Sequence, residues 1–124
     1  MSPHILFGRI LLSIIFILSG VTKLTAVSAT AGYFGSLGIP APTVAAVIVG
    51  LVELLGGFAV LLGFRTREGA IALALFTIAS AFVAHLDWSD TMQFINFQKN
   101  LAIAGGLLVL AGSGPAKFSV DARR

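Results

Sequence analysis

Cysteine is absent from this sequence, so disulfides, thiol redox chemistry, thiolate metal ligands and iron–sulfur clusters are not things the chain can supply by itself. Any redox role needs a partner or a bound cofactor. Charge is scarce as well: charged residues are 10% of the 124, against 57% hydrophobic, and the mean hydropathy is +1.01. So little polar surface cannot cover a soluble globule, and an integral membrane protein of one domain is the class that remains. The apolar runs also lack the alternation of half-buried strands, which excludes a barrel in favour of helices.

What is present is four apolar runs, at about 5–24, 44–64, 69–86 and 92–112. A bilayer core about 30 Å thick needs roughly 20 helical residues, so each run is long enough to span. The expected fold is an all-α bundle of four transmembrane helices. The first run has Arg9 near its start, ahead of its most apolar part, and small residues behind it, as a signal peptide would. Its full span length and Lys23 at its end fit a span better.

The net charge of +3 points to topology and not to nucleic acid once the cations are placed. Arg9, Arg65, Arg67, Lys117, Arg123 and Arg124 all fall on one side of the four spans, while Asp87 and Asp90 fall on the other. The positive-inside rule then puts both termini and the Arg65 link in the cytoplasm. The short link from Gly63 to Gly69 makes the second and third spans antiparallel neighbours. The longest connection, Thr25 to Pro42, permits a short helix that stops at Gly38, Pro40 and Pro42. It lies in the outer interface with Tyr33 and Phe34 at headgroup depth, or else it forms a lid over the bundle mouth. Trp88 reads as an interfacial anchor, and His85 as a boundary residue or a proton relay. A haem held by His4 and His85 is excluded, because they sit at opposite faces of the membrane.

The chain is organised around Glu53, a lone carboxylate near the middle of the second span. A charge there costs roughly 2.5 to 3.5 kcal/mol on insertion scales, so it must face the bundle interior and find a partner. Leu54 to Gly63 aligns without gaps on Ile103 to Gly112 at an offset of 49, which suggests two repeated helical hairpins. That alignment puts Gly50 opposite Lys99 and Leu51 opposite Asn100, about two turns inside the membrane. Lys99, one turn outward of Glu53, is then the leading partner, with Lys23 and His85 next. The candidate intramembrane cluster is Glu53, Lys99, Asn100, Lys23 and His85, with no metal site and no assigned catalytic residue.

Several short motifs occur in a distinctive order: Gly20-Val-Thr-Lys23, Leu37-Gly-Ile-Pro40, Val52-Glu-Leu-Leu-Gly-Gly57, Gly63 with Arg67, His85, Lys99-Asn100 and Phe118-Ser-Val-Asp121. In these the chain resembles the DoxX family of small four-span membrane proteins over nearly its full length. The resemblance implies a cell (inner) membrane location. It also implies either the membrane part of a thiosulfate:quinone oxidoreductase or a membrane scaffold for oxidative-stress enzymes. Three functions compete: a scaffold or subunit of a redox complex with a partner protein, ranked first; a quinone-binding component using Glu53 and Lys99; and a carrier of a small solute or protons, which would need to form a homo-oligomer. Quinone is the one cofactor these readings name.

Overall fold

A computed structural model describes residues 3–116 and 119–123. Lys117, Phe118, Arg124 and the side chain of Arg123, used above for topology and family likeness, lie outside the described residues. The described chain is helical with no strand: α1 Pro3–Thr25, α2 Val27–Ser36, α3 Pro42–Leu62, α4 Thr66–Ala84 and α5 Thr91–Ser113, then a 3-10 turn at Asp121–Arg123. α1, α3, α4 and α5 are long and apolar enough to cross a membrane. In lipid each backbone N–H and C=O must bond within its own helix, which is why runs of this length fold this way.

Helix ends follow local chemistry. Pro42 occupies the first turn of α3, where its missing N–H would have no partner anyway. Gly63 closes α3 in the left-handed region at φ 68°, and Phe64 N–H returns to Ala59 O. Gly63 is doubly constrained, since a Cβ there would stand 2.3 Å from that of Ser119. Asp90 caps α5 by accepting from Met92 N–H at 2.9 Å and Gln93 N–H at 3.4 Å. α4 has no cap from its own N-terminal neighbour. The tail supplies one: Asp121 accepts from Arg65 N–H, Thr66 N–H and the Thr66 hydroxyl at 2.7 to 2.9 Å.

α1 lies antiparallel along α3, and α4 along α5, with α3 and α4 joining the two pairs. Close approach is made by small residues. Gly20 sits so near α3 that a Cβ would meet Leu54 N at 2.7 Å and Gly50 O at 2.9 Å, and Gly56 is filled by Leu73 of α4 in the same way. Towards the Arg9 end the interior is solid, packed by Phe16, Val60, Ala70, Leu73, Leu107 and Leu110.

Arg9 is not a headgroup cation. It is 1% exposed and fastens three segments together, donating to Val60 O at 3.0 Å, Leu61 O at 2.8 Å and Pro115 O at 2.6 Å. The carbonyls at the C-terminal end of α3 carry partial negative charge, and a guanidinium with five donors in a fixed fork bonds Leu61 O and Val60 O, the latter also accepting from Gly63 N–H at 3.3 Å, and reaches the tail as well.

Candidate functional site

The half of the bundle nearer His85 is hollow. A cavity of about 450 Å³ lies among all five helices. α1 contributes Phe16, Ser19 and Lys23; α3 Val49 and Glu53; α4 Thr77, Ser80 and His85; α5 Asn100 and Ile103. Tyr33, Phe34 and Leu37 also line it, Phe34 being buried, from α2, which packs mainly on α3.

The charge pair at its floor joins α1 to α3. Lys23 Nζ stands 2.7 Å from Glu53 Oε1 and donates to Ser19 Oγ at 2.7 Å. Glu53 is 5% exposed and the Lys23 side chain 21%. Lys23 approaches Oε1 outside hydrogen-bonding angles, so the contact is an ion pair that leaves this oxygen without a hydrogen bond. Asn100 Nδ2 donates to Thr77 O at 3.3 Å, joining α5 to α4.

Depth follows from packing. Gly56 of α3 faces Leu73 of α4. Glu53 and Thr77 each lie about one turn from that contact toward the His85 end, so they occupy facing walls at about the same level. His85 is eight residues further along α4, about 12 Å nearer the mouth. It ends α4, and its carbonyl accepts from Trp88 Nε1 at 3.2 Å, while Trp88 packs on Phe94 and Phe97. Trp88 therefore steadies the histidine as well as marking the interface.

Among the described residues, the buried side-chain polar atoms without a hydrogen-bond partner are Glu53 Oε1, Thr77 Oγ1 and His85 Nδ1. All three residues line this cavity. Glu53 Oε1 still has the Lys23 ammonium at 2.7 Å, so Thr77 Oγ1 and His85 Nδ1 are the two of the three with neither a hydrogen bond nor an ion pair, a condition that costs about 1 to 3 kcal/mol for a buried polar group.

The structure thus brings Glu53, Lys23, Asn100 and His85 together and leaves Lys99 out. Lys99 is exposed on the outside of α5 and does not line the cavity. The pairing of Glu53 with Lys99 is corrected to Glu53 with Lys23, and the reason is helix phase. α5 buries Phe97, Ala104, Leu107 and Leu110, with Asn100 on the same stripe; Lys99 is rotated about 100° from Asn100. The 49-residue offset maps the buried Gly50 and Glu53 onto the exposed Lys99 and Ala102, so it carries residue likeness but not packing. Its glycines differ too: Gly56 and Gly57 are tightly covered, whereas Gly105 has open space around it. Ser19 and Thr77 line the cavity without having been singled out from the sequence, while Tyr33 and Phe34, expected at headgroup depth or in a lid, line it too. Ser19 was signalled by its place four residues before Lys23. Thr77 was signalled as a hydroxyl in an otherwise apolar span.

Comparison with known proteins agrees with this fold. The family model described as DoxX matches residues 4–86, a stretch that includes Lys23, Glu53, Thr77 and His85. The chain is similar to Inner membrane protein YqjF of Escherichia coli K12, at 40% identity over 94% of this chain and 88% of that protein. Inner membrane protein YphA of the same organism is 37% identical over 96% of this chain and 89% of its own length. A Bacillus subtilis protein named "Putative oxidoreductase CatD" is 30% identical over 85% of this chain and 76% of its own. No solved structure matches the chain.

Proposed function

The chain belongs to the DoxX family, and from that premise we propose that it is a membrane component of a redox complex whose own contribution is a binding site for a quinone head group. The observation that carries this reading is a largely apolar cavity whose wall holds the Lys23–Glu53 ion pair and two buried polar atoms without a partner, Thr77 Oγ1 and His85 Nδ1. Ligand sites combine those two features: apolar walls for affinity and a few placed polar groups for orientation, within about 300 to 1,000 Å³.

A bound quinone supplies two-electron, two-proton chemistry. The chain's residues supply the rest. The Lys23 ammonium, 2.7 Å away, pairs with the Glu53 carboxylate across α1 and α3. Thr77 Oγ1 can donate to a ring oxygen, and Glu53 Oε1 can accept from that oxygen only once it carries a proton. His85 at the mouth passes protons between the cavity and the aqueous face through its buried Nδ1, which has no hydrogen-bond partner within the described residues. Electrons come from a partner protein, since the chain has no cysteine to hold them. The positive-inside rule, applied to Arg65 and Arg67, supports a cytoplasmic link between α3 and α4 with the mouth outward.

A scaffold that only held a partner would have no use for unmet polar atoms in a cavity. A carrier would need a path through the packed half between Phe16, Val60, Leu73 and Leu110. Purification in native lipid, with quinone extraction and identification of bound proteins, tests the proposal. Quinone or quinol near one per chain is the expected result. A preparation that keeps a partner enzyme but holds no quinone, and takes up none when supplied, would replace this reading with the scaffold.

A further inference from the structure

We infer that the outward face of α5 docks a transmembrane helix of another protein, one that carries a carboxylate at the depth of Lys99. This rests on the reading of the chain as a component of a complex and owes nothing to the cavity. Lys99 and Gln98 are exposed on α5, in its outer half. Their depth is fixed by the next residue, Asn100, whose amide reaches Thr77 O of α4 at 3.3 Å. Thr77 lies about 12 Å below His85, so Lys99 and Gln98 stand about 10 Å inside the membrane. Neither makes a hydrogen bond or an ion pair among the described residues. In the middle of α1, α3 and α4 the exposed side chains are apolar, Leu18, Leu55 and Leu75 among them.

Lipid does not account for both residues. A lysine lifts its ammonium along its stem toward the headgroups, but a glutamine is too short to follow, and its amide would face hydrocarbon with donors and acceptor unmet. Polar side chains at such depth are met by a neighbouring helix. Shape agrees with that occupant. Gln98, Ala102, Gly105, Val109 and Gly112 recur at steps of four and three residues along one exposed stripe beside Lys99. Gly105 and Gly112 have nothing within 4 Å of where a Cβ would stand, so a second backbone can approach closely there. The occupant is not a second copy of this chain. A two-fold pair of α5 helices sets Lys99 against Lys99 at equal depth. The chain's five acidic residues offer no match either: Glu53 is buried beside Lys23, while Glu68, Asp87, Asp90 and Asp121 lie at helix ends, in the link before α5 or in the tail. Charge balance therefore calls for an Asp or Glu on a foreign helix.

The test puts a photo-crosslinking phenylalanine analogue at Leu101 or Val109, both already large and exposed on α5, in the full chain expressed in its native host. Leu18 and Leu55 carry the same probe as controls on α1 and α3. The expected product is an adduct from the α5 positions with one other membrane protein, and peptide mass spectrometry should place the cross-link on a transmembrane helix that holds an Asp or Glu level with Lys99. Lys99→Met should lower the yield by about tenfold or more, and Lys99→Glu should abolish it. Exchanging the partner's carboxylate for lysine should restore the adduct to Lys99→Glu. Thermal unfolding and bound quinone, which this face does not touch, confirm that both Lys99 variants are folded. An adduct of twice the chain's mass, equal yields from Leu55, a cross-linked helix without a carboxylate, or a yield unchanged in Lys99→Met overturns the inference. So does the lack of any protein adduct at α5, which leaves Lys99 to the lipid headgroups. Quinone retained without an adduct breaks this inference alone, whereas an adduct on a chain that holds no quinone breaks the cavity reading alone.

Discussion

A carboxylate as buried as Glu53 is tolerable only while its cation stays beside it. Glu53→Gln alone leaves the Lys23 ammonium facing an apolar cavity, and Lys23→Met alone leaves the carboxylate unpaired. Each should destabilise by about 3 to 5 kcal/mol, since removing one member of a buried pair strands the other. The double replacement should recover much of that loss. Lys99→Met, which removes a cation exposed on α5, should leave stability within about 0.5 kcal/mol. A double-mutant cycle on thermal stability in detergent measures all of these. Additive losses at Glu53 and Lys23 would mean that the two do not interact.

Helix packing at α1 and α3 is set by contact with backbone, which side-chain motion cannot relieve. Gly20→Ala puts a Cβ 2.7 Å from Leu54 N, so the helices must separate, at a cost of about 1 to 3 kcal/mol. Gly105→Ala meets nothing within 4 Å and should gain up to about 1 kcal/mol from helix propensity. Thermal unfolding of the two variants side by side checks this. A loss at Gly105 as large as that at Gly20 would restore the 49-residue repeat as a packing device. The same phase argument shows what was legible at this scale. Arg9, Ser13, Phe16, Gly20 and Lys23 recur at three- and four-residue steps along one stripe of α1, and Ala46, Gly50, Glu53, Gly57 and Val60 do so along α3. Stripes at that spacing face one way. Lys23 and Arg9 could thus have been turned inward from the sequence, whereas an argument from depth alone favoured Lys99.

Across the whole molecule, four spans and their limits were readable because lipid forces every apolar run of about 20 residues into a helix. The cavity was not readable, because a void belongs to the gaps between helices and to the placement of α2 beside them. Nor was the tail's capping of α4, which joins Asp121 to Thr66 across 55 residues of sequence. The fold divides into a hollow half that holds Glu53 and a solid half closed by Arg9. Which half faces outward is testable in this cysteine-free chain. A single cysteine at Ser36 or Ser89 should react with an impermeant thiol reagent from outside, and one at Arg65 should not. Labelling at Arg65 instead would invert the orientation.

The central claim is that Glu53 and Lys23 form the floor of a ligand site, and ligand retention tests it most directly. The wild-type chain, Lys99→Met and Glu53→Gln/Lys23→Met are purified in native lipid and extracted for bound quinone and quinol, with folding checked by thermal unfolding. The account predicts ligand near one per chain in the first two, and its loss from the folded double variant. Retention by the double variant, or loss from Lys99→Met, would contradict it.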